Sequence, residues 1–314
     1  MKRLLTGTAL ALTLFAPAAM AENIGISMAL FDDNFLTILR NGMQSYATDK
    51  GLDVQVEDAQ NDVGRQLSQI ENFIASGVDA IIVVPVDTDA TMAMTAAASS
   101  AGIPLVYVNR QPINVDDLPE NEAFVGSEER QAGMLETREI CRLLREAGKG
   151  EGAKAVIMMG ELSNQAARER TAAARAVIES DDCAFIDVLE EQTGNWQRTQ
   201  GTDLMTNWLA AGIAPDAIIS NNDEMAIGAA QALRAAGVPL GDVVIGGVDG
   251  TTDGLAAVAG GDLDVTVFHN ARAQGEGAVE TAIRFIAGEA VPEKKIYVPF
   301  ELVTPANLAD YQHH

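Results

Sequence analysis

One phrase occurs twice in this chain, and the repetition limits what it can fold into. Asp79-Ala80-Ile81-Ile82 leads through a helical stretch to Ala101-Gly102-Ile103-Pro104. About 140 residues later, Asp216-Ala217-Ile218-Ile219 leads in the same way to Ala236-Gly237-Val238-Pro239. In the second copy Met225, Ile227, Ala230, Leu233 and Ala236 recur at helical spacing, and Gly237 stops the helix before an apolar run at 243–248. Each copy is therefore a strand–helix–strand unit. Two such units predict an α/β chain of two similar, doubly wound parallel-sheet domains with their strand ends facing each other. In an open parallel sheet, ligands bind beyond the carboxyl ends of the strands. The strands of the second copy end on Asn222 and Asp249, and the last strand of the first copy ends on Asn109 and Arg110. Asp223 reads as a helix N-cap.

The remaining segments continue the alternation. Strands are expected at 23–29, 52–57 and 123–125, with helices led by Leu36, Leu39, Met43 and Tyr46 and by residues 66–75. Helix 129–147, strand 153–159, helix 164–178, strand 184–190, helix 196–211 and strand 264–269 follow. Helix 271–287 and a strand at 295–298 come next, and the tail from Leu302 reads as short and polar. The expected first domain is 22–126 plus 271–301, and the second is 127–270 plus 302–314. Three crossings join them, near Ser127, His269 and Leu302. Residues 1–21 read as a secretory signal peptide: Lys2 and Arg3, an apolar run to Ala18, and small residues at Ala19-Met20-Ala21. The mature chain is expected to be a soluble exported monomer, with no direct membrane insertion.

The formal charge of −24 disfavours nucleic acid and anionic membrane surfaces. Enzymatic chemistry finds few footholds. His313 and His314 are terminal, which leaves His269 as the one internal histidine. The glycines of 148–152 precede a strand, whereas a dinucleotide loop follows one, so no cofactor is expected. No catalytic or metal set is assigned. Carboxylate pairs such as Asp32-Asp33 keep a secreted carbohydrate-modifying enzyme open as an alternative, although aromatic content is only 5%. Cys141 and Cys183 are the two cysteines. They read either as two separate buried thiols or, in an oxidising compartment, as one bridge between helix 129–147 and the start of the strand at 184.

With these features in hand, the mature chain resembles the periplasmic sugar-binding proteins of the ribose/galactose type, the type I periplasmic binding proteins that serve as soluble receptors of ABC importers. The resemblance rests on Phe31-Asp32-Asp33-Asn34-Phe35, Val108-Asn109-Arg110, Ala167-Arg168-Glu169-Arg170, Asn195-Trp196, Asn222-Asp223-Glu224-Met225-Ala226 and Gly247-Val248-Asp249-Gly250. It implies closure of a hinge around a ligand. It also implies ligand contacts from Asp33, Phe35, Asn109, Arg110, Arg170, Trp196, Asn222, Asp249 and His269, with Asn164 a weaker candidate. Phe35 and Trp196 would cover the two faces of a ring whose rim hydroxyls meet a polar belt. Ordinary core packing is their plain alternative. Trp208 reads as core and Arg168 as a surface or hinge-side residue.

The family's calcium loop has no counterpart here, and Val84 and Val248 replace a polar and an aromatic pocket residue of the ribose type. Within the family the chain is most like the inositol-binding branch. The expected function is thus a receptor that binds a neutral polyhydroxylated ring, myo-inositol or a related cyclitol, and delivers it to an ABC-type permease. A hexose or pentose receptor such as one for galactose, and a ligand-presenting sensor, remain the alternatives.

Overall fold

The computed structural model describes residues 22–311. Residues 1–21, expected to be a signal peptide, and the terminal His313 and His314 lie outside the described residues. The chain begins with β1 (Asn23–Met28), α1 (Asn34–Asp49), β2 (Asp53–Asp58), α2 (Val63–Ser76), β3 (Ala80–Val83), α3 (Thr91–Ala101), β4 (Leu105–Val108) and β5 (Glu122–Gly126). It continues with α4 (Glu129–Glu146), β6 (Ala153–Met159), α5 (Gln165–Ile178), β7 (Ile186–Thr193), α6 (Arg198–Ala210), β8 (Ala217–Ser220), α7 (Asp223–Ala235), β9 (Val244–Asp249), α8 (Thr252–Gly260) and β10 (Val265–Phe268). The last elements are α9 (Ala271–Ile286), β11 (Lys295–Tyr297) and β12 (Glu301–Val303).

Two six-stranded sheets result, ordered β11-β5-β4-β3-β1-β2 and β12-β10-β9-β8-β6-β7. The orders superpose strand for strand, with β3, α3 and β4 answering β8, α7 and β9. The repeated phrase in the sequence is thus one βαβ unit at the same place in each doubly wound sheet. Its strands are buried on both faces because helices cover both. Ile24, Ile26, Ile82, Val106 and Val108 pack under α1 and α9 on one face, while Ile81, Val83, Leu105 and Tyr107 meet Phe73 and Met94 on the other. The shared glycine also has a shared reason. Gly102 and Gly237 follow α3 and α7 with φ of 70° and 75°, a left-handed conformation that ends a helix at little cost only without a Cβ.

Three segments connect the sheets, at 127–128, 269–270 and 298–300. α9 returns to the first sheet, packing on α1, β3, β4 and β5. Glu301 already pairs with Phe268 in the second sheet, so the last crossing precedes Leu302.

Several elements differ from expectation. The tail is not merely polar: β12 adds antiparallel to β10, and Val303, Leu308 and Tyr311 are buried in the second core. Three residues are too few for a period to be read. α8 was not foreseen, since TDGLAAVAG holds only two large apolar residues, Leu255 and Val258, too few to mark a helical period. Helix 196–211 begins only at Arg198, because Asn195 and Trp196 take positive φ. β7 runs on through Glu190, Glu191, Gln192 and Thr193 because it is an edge strand, where polar side chains are tolerated. Cys141 of α4 and Cys183 are joined as a disulfide, with Cα atoms 5.9 Å apart.

Candidate functional site

Two of the polar strand-end residues, and Trp196 beyond a third strand, have backbones that side-chain-bearing residues rarely adopt. Asn109, directly after β4, has φ of 66°; Asp249, closing β9, has φ of 126°; Trp196, after β7, has φ of 66°. Such conformations cost about 1–3 kcal/mol and persist where the surroundings force them, often at functional sites. β4 and β9 are counterparts, so Asn109 and Asp249 turn the chain at equivalent places in the two halves. Both face the space between the sheets.

From the first domain, Asp33 caps α1 by accepting from the Leu36 amide at 2.8 Å, and this presents Phe35 on the first helical turn. The Arg110 guanidinium is buried, and its Nη1 donates to the carbonyls of Pro85 and Val86 at 3.0 and 3.3 Å. Glu161 of the second domain stands 3.8 Å from it. From the second domain comes Arg170, whose Nε donates to Glu129 Oε2 at 2.7 Å and whose Nη1 donates to the Asn221 carbonyl at 2.6 Å. Asp249 Oδ1 lies 3.7 Å from that nitrogen. The Trp196 ring lies with its centroid 5.6 Å from the Arg170 guanidinium carbon. Trp196 fits there because residue 160 is glycine: a Cβ at that position would sit 2.1 Å from the indole.

Asn222, not Asp223, is the N-cap of α7, accepting from Met225 N while its Nδ2 donates to the Trp196 carbonyl at 3.1 Å. The N-cap reading of Asp223 is thereby corrected. Asp223 is fully buried inside the fold, where it accepts from Gly250 N and Thr266 Oγ1 at 2.8 and 2.7 Å. Asn164 likewise caps α5. The Phe35 ring stacks on the His269 imidazole, centroids 4.4 Å apart, and Phe300 lies 4.5 Å from the imidazole centroid.

All nine expected contacts and Asn164 line one cavity between the domains, together with Leu36, Glu129 and Ala166. A larger chamber of about 380 Å³ adjoins it, sharing Asp33, Arg110 and Trp196. Val84 and Val248 do not reach the cavity; both are buried in hydrophobic cores. Trp208 is core as well. Arg168 is half-exposed and spans the cleft rim, donating to Asp89 Oδ1 of the first domain at 3.1 Å. Nearby, Thr88 N and Oγ1 donate to the Ser163 carbonyl, and Asn34 Nδ2 donates to Glu224 at 2.7 Å across the cleft.

Electrostatics in the cavity follow from burial. Burial pushes the Asp33 and Asp249 carboxyls above the usual carboxylate range, and Arg110 and Arg170 respectively draw them part of the way back. Burial works against the charge of Arg170 too, but Glu129 and Asp249 outweigh it and hold the guanidinium protonated. Burial, helped by the Arg170 charge, pushes His269 well below its usual value, so its imidazole is neutral. The cavity therefore offers guanidinium and amide donors, carboxyl and amide acceptors, a neutral imidazole and aromatic faces. Among the described residues, no group of three or more His, Cys, Asp or Glu is arranged to hold a metal.

Glu129, Asn221 and Gln274 were not foreseen. Glu129 follows β5, and its position opening a helix after a strand end was the available signal. Gln274 sits inside a helix with nothing in its neighbourhood to mark it.

A model of the periplasmic binding protein domain matches residues 24–290. A Rhizobium meliloti protein named as a candidate rhizopine-binding protein is 62% identical over 313 residues, covering 99% of each chain. The ribose import binding protein of Bacillus subtilis is 30% identical over 281 residues, or 90% of this chain and 87% of that one. Among solved structures, an ABC transporter solute binding protein of Bacillus halodurans C-125 with bound myo-inositol matches with a TM-score of 0.86 and 38% identity, covering 95% of this chain and 99% of that one. These relatives are binding proteins rather than enzymes.

Proposed function

The chain belongs to the family of periplasmic binding protein domains, and from that premise we propose that it is the periplasmic receptor of an ABC importer for a cyclitol of the inositol type. The observation that carries the reading is the two-sided lining of the cavity: Asp33, Asn109 and Arg110 from one domain oppose Arg170, Asn222 and Asp249 from the other, with His269 on the crossing between them. A ring with a hydroxyl on every carbon can pair with such a belt around its whole rim, and two arginines and two carboxyls give charge-assisted bonds to neutral hydroxyls. A pentose would leave some of these buried groups without partners, at about 1–3 kcal/mol each. The Bacillus halodurans neighbour with bound myo-inositol supports the class. The Rhizobium meliloti relative, named for an inositol derivative, extends it to substituted inositols. Closure would bring both sets of groups onto the ligand at once, after which the permease receives it. Cys141 and Cys183 brace the second domain in this reading, and the leader at 1–21 exports the chain, which acts as a monomer.

The reading is tested by a thermal-shift panel of myo-inositol, substituted inositols, ribose, xylitol, galactose and glucose. An inositol present at about a hundred times its dissociation constant should stabilise the protein by about 2.7 kcal/mol. Stabilisation by ribose or galactose with no response to any inositol would overturn the ligand class.

A further inference from the structure

Gln274, on the first turn of α9, is fully buried, and its amide meets two of the three segments that join the domains and reaches the third through Ser127. Asn109 Nδ2 donates to its Oε1 at 3.2 Å. Its Nε2 donates to Ser127 Oγ at 3.0 Å, on the first crossing, and also contacts His269 Nε2, on the second. Ser127 Oγ in turn donates to the Val298 carbonyl at 2.6 Å, on the third.

The protons in this network can be counted. The Ser127 hydroxyl has one hydrogen, and it goes to Val298, so Ser127 accepts from Gln274. That fixes the amide with its nitrogen toward Ser127 and His269 and its oxygen toward Asn109. A carboxamide nitrogen only donates, so His269 Nε2 must accept and the ring proton must sit on Nδ1. On that side Asp249 Oδ1 stands at 3.7 Å and Arg170 Nη2 at 3.5 Å. A guanidinium nitrogen cannot accept a hydrogen bond, which leaves the Nδ1–H for the Asp249 carboxyl or an acceptor on the ligand.

We propose that Gln274 is a positioning residue: it fixes His269 in the Nδ1–H tautomer, makes it a hydrogen-bond donor toward the cavity, and ties that orientation to the three crossings of the hinge. Burial, which keeps the imidazole neutral, is consistent with a single tautomer. The part concerning donation to a ligand rests on the cyclitol-receptor reading above; the tautomer does not.

The test is the long-range proton–nitrogen correlation spectrum of the ligand-free protein, with His269 assigned by the cross-peaks that vanish in His269→Gln. The expected result is a pyrrole-like Nδ1 and a pyridine-like Nε2. A pyridine-like Nδ1, or two protonated nitrogens, would overturn the proposal. In Gln274→Glu the carboxylate accepts instead of donating, so Nε2 should gain a proton and affinity for myo-inositol should fall about tenfold. An unchanged His269 spectrum, or unchanged affinity beside a changed spectrum, would contradict the positioning role. Should that variant fail to fold, the wild-type spectrum alone decides the tautomer. Should no inositol bind the wild type, the ligand reading falls while the tautomer is still determined.

Discussion

Arg170 concentrates the electrostatics of the cavity, being the one guanidinium shared by Glu129, Asp249 and the Asn221 carbonyl. Arg170→Ala should cost about 2–4 kcal/mol of ligand binding, read by calorimetry, because hydroxyls and carboxyls lose their common donor. It should also lower the melting temperature, since Glu129 would be left buried without its partner. A variant with lowered stability and undiminished affinity would remove Arg170 from the ligand set. Asp249 offers a cleaner separation of the two effects. At φ of 126° its backbone is strained, and Asp249→Gly relieves that strain while deleting the carboxyl. Melting of the ligand-free variant should be unchanged or raised, with affinity at least about tenfold weaker. A coupled loss of both would mean that the carboxyl serves the fold rather than the ligand. Residues such as Asn109, Arg110 and Asp249 were legible in sequence because each ends an apolar run. Gln274 and Asp223 were not, because their importance lies in partners 147 and 43 positions away.

At the scale of elements, what the sequence made plain was the duplicated βαβ unit, whose strands are apolar on both faces and whose helices stop at glycine. It hid α8 and β12, one lacking apolar period and the other too short to have one. α4 carries two expectations. Its bridge from Cys141 to Cys183 closes 42 residues, so Cys141→Ser with Cys183→Ser should cost about 3–4 kcal/mol in unfolding experiments. Affinity should stay the same, since Cys141 lies about 18 Å along the helix from Glu129 at the cavity. A change in affinity without a change in stability would contradict that division. Further along the same helix, Glu136 accepts from Ser220 N at 2.9 Å, and burial raises its carboxyl to about 8. The folded state therefore holds this proton more tightly than the unfolded chain does. The associated stability is complete below the ordinary value of 4.5 and is lost as pH rises through about 8. Denaturant titrations should show stability declining from pH 5 to pH 8, at about the Glu136 range, with a shallower decline in Glu136→Gln. A slope identical in both proteins would assign the effect to other groups.

In the whole molecule, two like domains share a cavity and are joined by three crossings. Residues of both halves line the cavity, so the bonds to a ligand can be complete only when the halves are together. Contacts at the rim, from Arg168 to Asp89 and from Thr88 to Ser163, join the two domains outside the lining of the cavity. Arg168→Ala should leave the melting temperature nearly unchanged, as exposed ion pairs contribute about 0–1 kcal/mol. It should nonetheless speed ligand release in stopped-flow measurements, because opening breaks that pair. Unaltered release would confine Arg168 to the surface. In solution scattering the protein should become more compact on saturation with ligand, and superimposable curves would contradict closure. The measurement that bears most directly on the account is calorimetric titration of the wild-type protein with myo-inositol, run beside ribose and galactose. One-to-one binding of the inositol, at least about tenfold tighter than either sugar, is expected; binding of ribose or galactose with no heat from myo-inositol would contradict it.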